Sequence, residues 1–223
     1  MSSEGVKRWS IDCKATVKIG EFSRGGGTRG DNRASDHAMG CKEKYSPCGI
    51  VDEESAALHL TFGSSYKTRD FIVDTIEAKW NAMDEPEKAQ TSLMQIKRDN
   101  GPERRGRRTQ FLSRMVQFAD VINRPIHVLY YPPYHSKYNP IERCWGILEV
   151  KWNGAKLLDV ETRLGWAKKM TWKGLHPVVA LSRRIYTKGI ALGKVAMEAV
   201  EARLKRDPQF PKYDIVIHPA ATF

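Results

Sequence analysis

The chain has 223 residues, 41 % of them hydrophobic and 28 % charged, which is enough apolar material for one sizeable core, as one domain or one domain with an appendage. No apolar run approaches membrane-spanning length and MSSEGVKRWS has no apolar leader stretch, so a membrane protein is excluded and a cytoplasmic one expected. Lys and Arg outnumber Asp and Glu 37 to 26, giving a net charge of +11; this favours an acidic partner, most simply nucleic acid, without separating an enzyme from a binder.

In chain order, Arg8 to Ile19 alternates, with Trp9, Ile11, Cys13, Ala15, Val17 and Ile19 on one face, and predicts one long strand or two joined ones. The Gly-, Ser- and Arg-rich EFSRGGGTRGDNRASDHAMG that follows reads as a basic loop. A second and a third strand are expected around Pro47 and over ALHLTFG, where Leu58, Leu60 and Phe62 alternate. Thr68 caps a helix over RDFIVDTIEAKWNAM, SLMQIKRD is a short strand running into Asp99, and Asn100-Gly101-Pro102 stops it. RRTQFLSRMVQFADVIN carries a helical apolar stripe, IHVLYY is a buried central strand, and a helix starts at Asn139 with Ile141, Trp145, Leu148 and Trp152 on one face. From about Asp159 the tail reads as helical, so the boundary falls between a core over 1–158 and a helical extension over 159–223. The order of elements implies a mixed sheet covered by helices, an α/β fold.

Three carboxylates stand at element ends: Asp12 on the first strand, Asp99 at the end of a later one, and Glu142 on the first turn of the helix after the central strand. If those strands are neighbours the three converge, and such a cluster of like charges is tolerable when a cation neutralises it, magnesium or manganese being suited to hard oxygen ligands. Each also has a local explanation: Asp12 as a solvated strand residue, Asp99 as a turn former, and Glu142 as the acid of a capping box begun by Asn139. Glu149 and Glu103 rival Glu142 and Asp99, and Gly146, one turn beyond Glu142, suggests a close backbone approach or tight packing. The four cysteines form no CxxC pair, and His37, Cys41 and Cys48 fit no regular zinc spacing.

YPPYHSKYNPIERCWGILE resembles the closing motif of the Asp-Asp-Glu (DDE) insertion-sequence transposases, and is nearest to their ISAzo-thirteen family. SIDCKATVKIGEFSRGG resembles that family's first-aspartate strand, IKRDNGPERRGRRTQF its second-aspartate segment, and MTWKGLHPVV a segment after the catalytic helix. The resemblance implies an RNase H-like fold with a five-stranded mixed sheet, and Asp12, Asp99 and Glu142 holding two Mg2+ or Mn2+ ions. It further implies DNA strand cleavage by water and joining by the resulting 3′-hydroxyl. Arg98, Arg104 and Arg105 depart from the expected pattern, and only eleven residues precede Asp12, so a truncated core without its DNA-recognition region is expected.

Basic residues flank each carboxylate: Lys14, Lys18 and Arg24 after Asp12, Arg104, Arg105, Arg107 and Arg108 after Asp99, and His135 and Lys137 before Glu142. They are candidates for contact with DNA phosphates rather than for base reading, a solvated charged surface being the plainer alternative. Tyr131, Tyr134 and Tyr138 pack around the proline turn or stack on an unpaired base, and Trp145, Trp152, Trp166 and Trp172 read as packing residues. Expected partners are transposon-end and target DNA, a second copy in a homodimer or higher synaptic oligomer, and a separate chain or missing region for end recognition. The competing readings are a non-catalytic DNA-binding remnant and a carboxylate-pair glycosidase using Asp99 and Glu142, the latter disfavoured by the basic charge.

Overall fold

A computed structural model describes residues 4–20, 43–99, 105–132, 135–187 and 192–220, with 105–108 and 136 described in backbone only. Alternation in the N-terminal stretch becomes two strands, β1 (Val6–Cys13) and β2 (Val17–Lys18), followed by β3 (Lys44–Asp52) and β4 (Leu58–Gly63). Helix α1 (Arg69–Asn81) starts where Thr68 accepts the Phe71 N–H, and α2 (Glu85–Gln90) is a short helix with no buried residue. Then come β5 (Leu93–Asp99), α3 (Arg105–Ile122), β6 (Ile126–Tyr131), a single 3-10 turn at Ser136–Tyr138, and α4 (Pro140–Trp152). The remainder is α5 (Val160–Lys168), β7 (Val178–Ser182), α6 (Lys194–Glu201), β8 (Leu204–Arg206) and β9 (Asp214–Ile217).

The strands form one mixed sheet in the order β7-β4-β3-β1-β5-β6-β9-β8, with β2 paired to β3. β1 runs antiparallel to β3 and parallel to β5, which runs parallel to β6, so the ends of β1, β5 and β6 lie on one edge. This mixed sheet flanked by helices is RNase H-like, and the expected five strands are its centre, β4-β3-β1-β5-β6. The C-terminal part differs from an all-helical extension. It supplies α5 and α6, and also β7 to one border of the sheet and β9 with β8 to the other.

Period-two alternation gives the sheet two unlike faces. Trp9, Ile11, Ile50, Met94, Ile96 and Val128 pack with Phe71, Ile76, Phe111 and Met115 of α1 and α3 in one core. Val51, Leu58, Leu60 and Phe62 pack with Ile141, Trp145, Leu148 and Trp152 of α4 in the other. Arg163 of α5 is fully buried there, donating to the carbonyls of Val17 (2.8 Å) and Lys18 (3.2 Å), which ties α5 to β2. Among the described residues no helix is long and apolar enough to cross a membrane.

Candidate active site

β1 and β5 are in parallel register up to the pair Ile11–Arg98, so Asp12 and Asp99 follow side by side at the two strand ends. Both belong to the face that α4 approaches. β1 pairs Asp12 with Gly49 of β3, and a Cβ built on Gly49 would come within 2.5 Å of Ile141 Cδ1 and 2.8 Å of Trp145 Cη2. The missing side chain therefore lets α4 lie directly on the sheet. Trp145 then reaches Asp12, its Nε1–H donating to Oδ2 at 3.0 Å. Asp12 is thus not a purely solvated strand residue.

Asn139 fixes the start of α4. It is fully buried, its Oδ1 accepts the Ile141 N–H at 3.4 Å, and its Nδ2 donates to the Ile11 carbonyl on β1 at 3.4 Å. The expected capping box does not close, since among the described residues no hydrogen bond joins the Glu142 carboxylate to the Asn139 N–H. Pro140 at the first helical position and the Asn139 side chain suffice to start the helix, and they leave the Glu142 carboxylate uncommitted to the cap.

The electrostatics join the three acids. Burial, and then the charge of Asp12, push the Asp99 carboxyl up, against a hydrogen bond from the Asn139 side chain and the nearby Arg98. Burial, then Asp12 and Asp99, push Glu142 up, with Lys14 opposing. Asp99 Oδ1 is moreover buried with no hydrogen-bond partner. An orphaned carboxylate oxygen among mutually repelling carboxylates is a donor set that a hard divalent cation satisfies. Among the described residues no three His, Cys, Asp or Glu side chains are already gathered closely enough to ligate one ion.

The family match covers residues 1–219 and is to the Rhodopirellula transposase DDE domain. The chain belongs to that DDE transposase family. A comparison with curated proteins finds no match. A chain in the cryo-electron-microscopy structure of the simian T-cell lymphotropic virus intasome in complex with PP2A regulatory subunit B56 gamma is similar at 13 % identity and a TM-score of 0.41. That similarity covers 78 % of the DDE chain and 53 % of the intasome-structure chain, so the DDE chain spans about half of its length.

Three residues of the DDE domain that sequence reasoning did not assign to the site now belong beside it. Trp145 had been read as packing, although its place three residues after Glu142 on the same helix was a usable signal. Gly49 was visible as a glycine inside a strand, which marks a close backbone approach. Arg98, where an aliphatic residue had been expected, is buried with its guanidinium 4.2 Å from the Phe111 ring centre and 5.7 Å from that of Tyr130, so the arginine is accommodated by ring stacking.

The basic candidates divide. Lys14 pairs with Glu149 at 3.1 Å, which ties up the rival carboxylate and sets the lysine beside Glu142. Lys18 is exposed on β2, while His135 stacks on Tyr138 and Lys137 lies 5.2 Å from the same ring. Arg105, Arg107 and Arg108 open α3, in backbone only. Arg24, Arg104, Glu103, His37, Cys41, Tyr134 and the Asn100-Gly101-Pro102 stop lie outside the described residues. Among the described residues a Cβ on Gly146 would meet nothing within 4 Å, so packing against them does not account for that glycine.

Proposed function

We propose that this DDE domain cuts and joins DNA strands in transposition, with Asp12, Asp99 and Glu142 holding Mg2+ or Mn2+, as two ions. The observation that carries the reading is the mutual charge effect of three carboxylates from β1, β5 and α4 in a chain of a transposase family. When bound, such an ion pair supplies activation of a water or 3′-hydroxyl and neutralises charge at the phosphorus. The chain's own residues orient and shield. Trp145 holds one oxygen of Asp12 and leaves the other free, Asn139 sets where α4 begins and so where Glu142 stands, and Gly49 lets the helix approach.

Lys14, Lys18, Arg24, Arg104, Arg105, Arg107, Arg108, His135 and Lys137 are proposed to contact DNA phosphates around the site. Residues 1–158 form the catalytic part and 159–223 an extension, and joining two transposon ends calls for at least a homodimer. The test is nicking of a duplex carrying the transposon end. Wild-type protein nicks it only with Mg2+ or Mn2+, and Asp12→Asn does not while keeping its circular dichroism spectrum. Salt-sensitive binding without nicking under any divalent ion would instead establish a non-catalytic DNA-binding remnant.

A further inference from the structure

The segment MTWKGLHPVV plays no part in the carboxylate site, yet it forms the wall of a cleft beside it. Trp172 and Leu175 exchange backbone hydrogen bonds of 2.8 and 2.9 Å across a two-residue turn. Both turn residues have positive φ, 47° at Lys173 and 84° at Gly174, which makes the turn a primed hairpin turn. Glycine and asparagine adopt that left-handed backbone readily, whereas a lysine there is strained. Such strain at a surface position points toward a use for the side chain it displays.

The cleft measures about 250 Å³ and is walled by Trp172, Lys173, Tyr131 and Tyr138, with Glu53 and Lys97 at its floor. It adjoins the acids on two sides. Tyr131 is the cross-strand partner of Asp99, and Pro140, two residues before Glu142, also lines the cleft. The floor is a held polar network: Lys97 Nζ to Glu53 Oε2 at 2.6 Å, and Ser10 Oγ to Glu53 Oε1 at 2.5 Å. Trp172 is 8 % exposed and its Nε1 is buried with no hydrogen-bond partner, whereas Tyr138 at the rim is 60 % exposed.

We propose that this cleft holds one unpaired nucleobase of the DNA strand next to the bond being cut. The inference rests on the DNA-cutting reading of the neighbouring carboxylates. Three features favour a base over a phosphate. The walls are aromatic rings, on which any base stacks. The floor carries an acceptor, Glu53, beside a donor, Lys97, which matches the mixed edge of a base and, as a neutral pair, offers no net charge to a phosphate. The volume is below the roughly 300–1,000 Å³ of pockets that bury larger ligands, and suits a single ring system. Lys173, displayed by the turn at the rim, then meets the backbone phosphate of the same nucleotide.

The test compares three probes on the full chain: a blunt DNA duplex, the same duplex with a single-stranded 3′ oligo-dT tail, and one with an abasic tail of equal length. Wild-type protein binds the dT-tailed duplex more tightly than the other two. Tyr138→Ala lowers that preference by about 5- to 150-fold, the range for one stacked base. Lys173→Gly weakens tailed binding while raising the melting temperature, because it relieves the turn, so lost binding cannot be lost folding. Equal binding of dT and abasic tails, or a dT preference untouched by both substitutions, overturns the proposal. Nicking on the same samples separates the two readings: a dT preference without nicking removes the catalytic reading alone, and nicking without the preference removes the cleft alone.

Discussion

The two faces of the sheet use the same strands for opposite purposes. Toward α1 and α3, alternate residues Trp9, Ile11, Ile96 and Val128 are at most 1 % exposed, and the buried Asp52 among them is held by three groups. Asp52 takes Lys7 at 2.8 Å, the Trp9 Nε1–H at 3.2 Å and Lys79 at 4.0 Å. Toward α4, β3 and β4 supply Val51, Leu58, Leu60 and Phe62 to the second core, while β1, β5 and β6 present the polar Ser10, Asp12, Lys97, Asp99, His127 and Tyr131 beside the apolar Leu129, and α4 lies over β1, β3 and β4. Beyond its cover, polar groups bind one another, Gln95 to His127 at 3.3 Å and His127 to Asp214 at 2.7 Å. The difference teaches that the α4 face keeps its apolar core over β3 and β4, which leaves the ends of β1 and β5 beside it to keep groups that repel.

Breaking the closed face has the largest effect. Phe111→Ala deletes a fully buried ring that also supports Arg98, and should lower unfolding free energy by about 3–5 kcal/mol, read as a fall in the denaturant midpoint. On the α4 face, Gly49→Ala forces a methyl against Ile141 and Trp145. It should cost about 1–3 kcal/mol and reduce nicking as α4 lifts from Asp12. A smaller change sharpens the contrast: Trp145→Phe keeps an aromatic side chain but removes the 3.0 Å bond to Asp12, and should weaken Mn2+ affinity about 10- to 100-fold at a stability cost of about 1 kcal/mol from the smaller ring. Smallest is Gly146→Ala, whose methyl meets nothing within 4 Å among the described residues and which should stabilise α4 by up to about 1 kcal/mol. If DNA passes over that point, nicking falls although the protein melts higher. Unchanged nicking would assign Gly146 no part in DNA approach.

Much of this division was legible in the sequence. Alternation marked β1 and β4, apolar stretches marked β3 and β6, and Thr68 and Asn139 marked helix starts, because local spacing and capping decide those elements. Asp12, Asp99 and Glu142 could be named for their places at element ends. β7, β8 and β9 were not foreseen, since strands of three to five residues at the borders of a sheet owe their form to the partner strand rather than to their own pattern. α2 buries nothing and so carries no apolar stripe to read. The roles of Trp145 and Gly49 depend on a helix and two strands far apart in the chain, and only their juxtaposition reveals them. The capping box illustrates the reverse case: the motif was present, but Glu142 faces the acids' field rather than the cap.

Titration of Mn2+ into the protein, followed by electron paramagnetic resonance of the free ion, tests the central claim most directly because it needs neither DNA nor turnover. The account predicts two bound ions for the wild-type chain and a clear loss of binding in Asp99→Asn, whose amide cannot replace the orphaned carboxylate oxygen. Equal Mn2+ binding by wild type and Asp99→Asn would contradict it.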